Sequence, residues 1–214
     1  AILSTAQFAS MEATDFAAIK SLGIKGLSTA IVANLTTTQF ASLTTGTNGQ
    51  IAALTTAQIA VLTTGTNGQI AALTTDQAAS LTSTQVAKFT SDQFASMESA
   101  DFAKLSPAGV KGLSTATIAG LTTDQIASMS TGATGLLAGL STAQIAALTS
   151  TQLEALSSGQ EASLTSAQVA ALSTSQFSVL ISETTDSADF VNFSSIGIRG
   201  LSTGVISNLT TDQT

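Results

Sequence analysis

The sequence contains no cysteine, histidine, tryptophan or tyrosine, and a single proline. The absence of cysteine excludes disulfides, thiolate metal sites and a sulfur nucleophile together. The absence of histidine removes the commonest general base. Aromatic residues make up 4% of the chain although hydrophobic residues make up 43%. The apolar content is therefore mostly Ala, Leu, Ile and Val, which favours a thin, evenly packed structure over a core built on large rings. Charged residues are scarce as well, at 9%, with 13 acidic and 6 basic side chains and a net charge of −7. An acidic surface repels phosphate backbones, so no nucleic-acid partner is expected. No window approaches 18 consecutive apolar residues, so no membrane span is expected.

What is present is repetition, and length priors for ordinary domains do not apply to an array whose units contact only their neighbours. About 25 copies of an octad run through the 214 residues. In register they read Leu-Thr-Thr-Ala-Gln-Ile-Ala-Val at 54–61, Leu-Thr-Thr-Asp-Gln-Ile-Ala-Ser at 121–128 and Leu-Ser-Thr-Ala-Gln-Ile-Ala-Ala at 140–147. The consensus is Leu, Ser/Thr, Ser/Thr, any residue, Gln, Ile/Val/Phe, Ala, small.

This octad is a helix start. Ser/Thr followed three residues later by Gln is a capping box, and the Leu before the cap with the apolar residue at N4 is a hydrophobic staple. In 140–147 those roles fall to Ser141, Gln144, Leu140 and Ile145. Each cap contributes about 1 kcal/mol, which matters for helices too short to be stable alone. Pro107 falls at N1, where proline is preferred, and Asp76, Asp92 and Asp124 fall at N2, near the positive helix end. Glu12, Glu98 and Asp186 stand where other units have a Ser/Thr cap, and read as acidic caps. The expected fold is all-α, a solenoid of short capped helices with two octads per coil. The alternative is a β-solenoid, suggested by the abundant Thr, but period-2 alternation is missing.

The whole chain reads as one continuous array, 1–214. A longer period lies above the octad. Residues 11–33 recur at 97–119 and, loosely, at 185–207, which defines superrepeats 11–96, 97–184 and a partial 185–214. Three units, Leu43–Ala53, Leu62–Ala72 and Met129–Gly139, are eleven residues long and carry Gly-Thr-Asn-Gly or Gly-Ala-Thr-Gly turns. With two octads per coil these insertions share one face, and ten units rise roughly 45 Å. Asp15 and Lys25, Asp101 and Lys111, and Asp189 and Arg199 are each ten residues apart, and read as register-setting pairs. Ala78 and Glu161 replace the apolar N4 residue, and that place is expected to be open or to face a neighbour. Phe8, Phe40, Phe94 and Phe177 are candidate lateral anchors if exposed. The chain begins at Ala1-Ile2-Leu3 and stops at Asp212-Gln213-Thr214, both inside octads, and so reads as a piece of a longer protein or a mature chain, with apolar ends that stack on further repeats or copies.

Reactive constellations are hard to find. Gly200-Leu201-Ser202-Thr203-Gly204 matches a nucleophile elbow, but no histidine can serve it, and Gly112-Leu113-Ser114-Thr115-Ala116 shows the same stretch to be an ordinary repeat start. The glycine turns lack the lysine of a phosphate loop. Sequons at Asn34, Asn192 and Asn208 say little alone, and the hydroxyls are committed to capping and not to an ice-binding array. The carboxylates are scattered, without an EF-hand pattern. No catalytic, cofactor-binding or metal-ligating residue is expected, weak Ca²⁺ bridging between coils or chains being the one cofactor left open.

The run Leu-Thr-Thr-Ala-Gln-Ile-Ala-Ala-Leu-Thr-Thr, nearly intact at 54–64 and 140–150, resembles octad tracts of large secreted bacterial surface proteins that look like adhesins, matrix fibres or surface-layer components. The Leu-Ser-x-x-Gln cadence is also similar to that of mesothelin-like superhelical proteins. The resemblance implies a structural, extracellular or cell-surface repeat protein that self-associates and is not an enzyme. The alternative is a solenoid binding module for a protein or glycan. Far-ultraviolet circular dichroism should give a helix-dominated spectrum; a β-dominated one would sink the α-solenoid reading.

Overall fold

The computed structural model of the chain describes residues 4–180 and Ile206. Among these residues there are twenty helices, each of four to seven residues, and no strand. The β-solenoid alternative is thereby excluded, and the fold is an all-α solenoid of short helices. The chain divides into two compact bodies, Ala1–Leu113 and Ser114–Thr214, both built from the same octad. Their boundary falls inside the second superrepeat. The partial superrepeat 185–214, except Ile206, lies outside the described residues, as do both chain ends, Asp186, Asn192, Asn208, the Gly200–Gly204 stretch and the pair Asp189 and Arg199.

The capping box forms as the octad implies. In 140–147 the Gln144 N–H donates to Ser141 Oγ at 3.3 Å, and the Ser141 N–H donates to Gln144 Oε1 at 2.8 Å. Pro107 opens its helix behind Ser106. Leu140, Ile145, Leu148, Leu164 and Val169 are all buried, while Ala143, Thr151 and Ala167 are exposed. The staple pair of these units is thus part of the core, and the variable position faces outward. Three phenylalanines cluster: Phe94 lies 5.3 Å from Phe89 and 6.0 Å, edge-on, from Phe102. Phe8, Phe40, Phe94 and Phe177 are all buried, so they are core residues and not lateral anchors.

The coil is larger than two octads. Within the first body, Ala13–Ala17 packs on Thr37–Ala41, Ser21–Lys25 on Gln50–Ala53, and Ser83–Val86 on Pro107–Lys111. In the second body Thr142–Ala146 packs on Ser166–Ala170. Each of these pairs is three units apart. The side-chain hydrogen bonds connect units four apart. Gln85 Nε2 donates to the carbonyls of Ile51 at 2.9 Å and Leu54 at 2.7 Å, while its Oε1 accepts from the Thr82 N–H at 2.8 Å. One turn of the winding therefore holds between three and four octads. It resembles an α-helix in which each residue is replaced by a short helix. With two helices per coil each staple would have one neighbour across the coil; three to four units enclose it, which is why Ile59, Ile70 and Val86 are fully buried. The rise of roughly 45 Å per ten units, which assumed two octads per coil, falls with that assumption.

The bridge made by Gln85 recurs in seven consecutive units of the first body, from Gln39 through Gln93. In the second body Gln152, Gln160 and Gln168 make it, and Gln176 makes a shifted version to the Ala146 and Leu148 carbonyls. All of these except Gln176 are buried. Burial of an amide is tolerated when its donors and acceptor are all satisfied, and here one oxygen and two N–H groups each find a backbone partner.

The eleven-residue units keep this geometry by looping out three residues. Gln50 N donates to Thr44 Oγ1 at 3.0 Å and Thr44 N to Gln50 Oε1 at 2.9 Å, a capping box spread over six residues. Thr63 and Gln69 repeat it, and Ser130 Oγ accepts from Leu136 N. Gly46, Gly65 and Gly132 turn each loop with φ near +88°, a region costly for side chains. Gly46 N donates to Ser80 Oγ and Gly65 N to Ser96 Oγ, so the first two loops are tied to the unit three ahead. Units two apart are not neighbours in this winding, so the first two insertions do not stack on one face.

The cross-turn amide should be the most costly surface-independent feature to remove. Gln85→Met keeps the shape of the side chain but strands the Leu54 carbonyl and the Thr82 N–H, and should lower stability in urea unfolding by about 2–4 kcal/mol. Thr82→Val, which removes only the hydroxyl cap, should cost about 1 kcal/mol. Equal losses would show that the amide acts as a cap and nothing more.

Candidate functional site

Positions that depart from the octad are where function could reside, because the octad itself is consumed in building the fold. The acidic caps are the first. Glu12 and Glu98 occupy N-cap positions with extended backbone, yet neither carboxylate accepts a capping hydrogen bond. A glutamate is longer than Ser or Thr and is better solvated pointing outward, and both are exposed. Of the ten-residue acid–base pairs, Asp15 and Lys25 are both exposed and form no ion pair with each other. Successive units do not face one another here; the neighbours are three and four units away.

Asp101 stands apart from Asp15. It occupies the N3 position of Ser99–Phe102, where most units carry Gln, and is 2% exposed. Its Oδ2 is buried without a hydrogen-bond partner. Burial, and secondarily the charge of Glu98, pushes its pKa up from 3.8 to about 6. Ala78 is completely buried, so of the two outcomes expected for that place it is not open but closed against its neighbours, as the turn closes around Ile or Val elsewhere. Glu161, at the same place in the next superrepeat, is half-buried.

Among the described residues, each body carries an open groove. The first, of about 430 Å³, is lined by Ser21, Leu22, Lys25, Thr55, Thr82 and Thr84 among others. Leu22 is 80% exposed, in contrast to the buried staple residues Ile59, Ile70 and Val86. The second, of about 460 Å³, is lined by Gly132, Ala133, Ala138, Ala162, Ser163 and Thr165 with Leu164. Hydroxyls, small side chains and one lysine can offer hydrogen bonds and contact area. Among the described residues no three carboxylates converge as cation ligands, and no helix is long and apolar enough to cross a membrane. Asn34 of the first sequon is exposed, its Nδ2 donating to the Ala30 carbonyl at 2.8 Å.

What the octad pattern alone did not reveal is the outward-reaching half of each glutamine. A signal was present: a capping box accepts Glu as readily as Gln, yet no unit between residues 4 and 180 has Glu at N3. Only the amide can accept from its own cap and donate to the turn behind.

No curated protein and no solved structure matches the chain. The model of the ALTTAQ repeat family matches residues 8–45, 94–131 and 134–166, which together make up just over half of the sequence. These matched stretches contain both the plain octads and the units with Asp, Gly or Thr at N3, and with them the chain belongs to the ALTTAQ repeat family.

Proposed function

We propose that this chain is a structural segment that extends a fibre, surface layer or adhesin stalk outside the cell, and that it is not an enzyme. A repeat-based structural or binding module is what the family supports; the finer assignment rests on how the units connect. The observation that carries it is the unbroken glutamine ladder from Gln39 to Gln93, in which each unit is satisfied by the units three and four places away. Such a connection adds length by adding units, with stability set by neighbour contacts. Few charged side chains and an abundance of small ones favour side-by-side association of copies. The extracellular setting rests on the resemblance of the 54–64 and 140–150 runs to secreted surface proteins.

A second reading, a binding module for a protein or glycan, is favoured by Leu22 and the hydroxyl-lined groove beside it. Electron microscopy of native material, together with light scattering of the purified chain at rising concentration, separates the two. Filaments, lattices or concentration-dependent assembly are expected. A compact monomer that never associates, and whose attachment to cells or matrix is lost in Leu22→Asp, would move the assignment to the binding module.

A further inference from the structure

The unit Met97–Lys104 interrupts the glutamine ladder, and its surroundings show what the interruption does. In the units that carry the bridge, the amide at N3 donates to two carbonyls of the turn behind: the N4 residue of the unit four places back, and the first residue of the unit after it. Gln77 thus reaches Phe40 and Leu43, and Gln93 reaches Ile59 and Leu62. Four units back from Met97–Lys104 is Leu62–Ala72, so the corresponding carbonyls are those of Ile70 and Leu73. Ile70 O accepts from Leu73 N at 3.2 Å, but among the described residues no donor reaches Leu73 O. Asp101 Oδ2 is likewise buried and without a partner. By the register of the ladder, an acceptor without a donor and a carboxyl oxygen without a partner belong to the one step at which the amide bridge is missing.

We infer that Asp101 is a proton-dependent replacement for the ladder glutamine: its protonated carboxyl donates across the turn toward the Leu73 carbonyl, and its ionised form leaves that step open. A carboxylate has only acceptors and would confront carbonyl oxygens, whereas the neutral acid carries one donor. The charged groups around it do not rescue the ionised form. Glu98, at the cap of its own helix, adds like charge, and Lys104 of the same unit is exposed. The helix packed against it, Thr75–Ser80, brings only Asp76, another exposed acid, and Leu62–Ala72 has no ionisable side chain. Residues 98–103, Glu-Ser-Ala-Asp-Phe-Ala, correspond to Glu12–Ala17 one superrepeat earlier. Asp15 there is exposed, so the conditional step belongs to Asp101.

The sign of the effect follows from the proton's preference. Because the folded pKa of about 6 lies above the ordinary 3.8, the folded chain holds this proton more tightly than the unfolded chain does. The stabilisation is complete below about pH 3.8 and is lost as pH rises through about 6. In the full chain, carbon-detected NMR of the Asp101 carboxyl should show a titration midpoint near 6. Asp101→Gln restores the amide and should be more stable than the wild type at pH 7.5, the gap narrowing as pH falls toward 4.5. A midpoint near 3.8, or a gap that does not change with pH, overturns the inference. Should calcium or magnesium stabilise the wild type at neutral pH and fail to stabilise Asp101→Gln, a cation fills the step in place of a proton, which also overturns it. If the Gln variant does not fold, Asp101→Asn and the wild-type titration decide the matter.

Discussion

A primary amide carries one acceptor oxygen and two N–H donors, and burying it without strain requires partners for all three. Here the oxygen takes the N–H that every helix start leaves over. The two N–H bonds take carbonyls at the end of a helix one turn behind, where a helix leaves acceptors over. A single side chain therefore pairs a spare donor in its own unit with spare acceptors in another. For Gln58 the three distances are 2.7 Å to Thr55 N, 2.9 Å to Ile24 O and 2.8 Å to Leu27 O. Helices of five residues spend most of their backbone groups on termini, so this pairing bears a larger share of the fold than it would between long helices, where intrahelical bonds dominate.

The same constraint explains what can vary. The amide must reach both its own cap and the turn behind, so the distance from cap to glutamine is fixed in space though not in sequence. Three extra residues in Leu43–Ala53 and Leu62–Ala72 are accommodated because Thr44 and Thr63 still meet Gln50 and Gln69. At Gly109 the amide is abandoned altogether. A Cβ there would lie 2.8 Å from Val86 Cβ, so the backbone of Pro107–Lys111 approaches Ser83–Val86 in a way no side chain permits. At Thr117 a hydroxyl replaces the amide, and its Oγ1 lies 2.9 Å from Ser114 Oγ, within its own unit. Asp, Gly and Thr thus follow one another at 101, 109 and 117, as Asp, Gly and Ile do at 15, 23 and 31. The superrepeat is a schedule for where the ladder is replaced by other contacts.

How far the fold was legible depends on the range of each interaction. The cap and staple act within six residues, and Ser141, Gln144, Leu140 and Ile145 took the places their spacing implies. The number of units per turn is decided between residues about thirty apart, and the octad carries no local sign of it. Two octads per coil satisfied the periodicity equally well, because any even number of units restores the same pattern in sequence. The preference for Gln over Glu was the one residue-level clue, since it reveals a donor for which the capping box has no use. The acidic caps failed for a related reason: Glu12 and Glu98 matched the position of a cap without the short side chain that makes one. At Asp101 the sequence displayed a carboxylate in the amide's place, but only the burial of Oδ2 distinguishes it from Asp15 in the same motif.

Composition and architecture now account for one another. Large aromatic side chains are few because a turn of three to four short helices has room for one staple pair per unit, mostly a Leu with an Ile, Val, Leu or Phe. Charge is scarce because each octad leaves mainly its variable position and the ends of its helix outside. The inside cannot take charge where the glutamine stands, for an ionised side chain there would face carbonyl oxygens with no donor of its own. Asp101 is the exception that tests the rule: among the described residues it is the acid found buried at that position, and burial holds its proton above the ordinary carboxylate range. A chain that supplies its inward amide so regularly has most of its hydrogen bonding committed to its own continuation. What remains for contact with anything else is the outer surface, where hydroxyls, alanines and the exposed Leu22 stand.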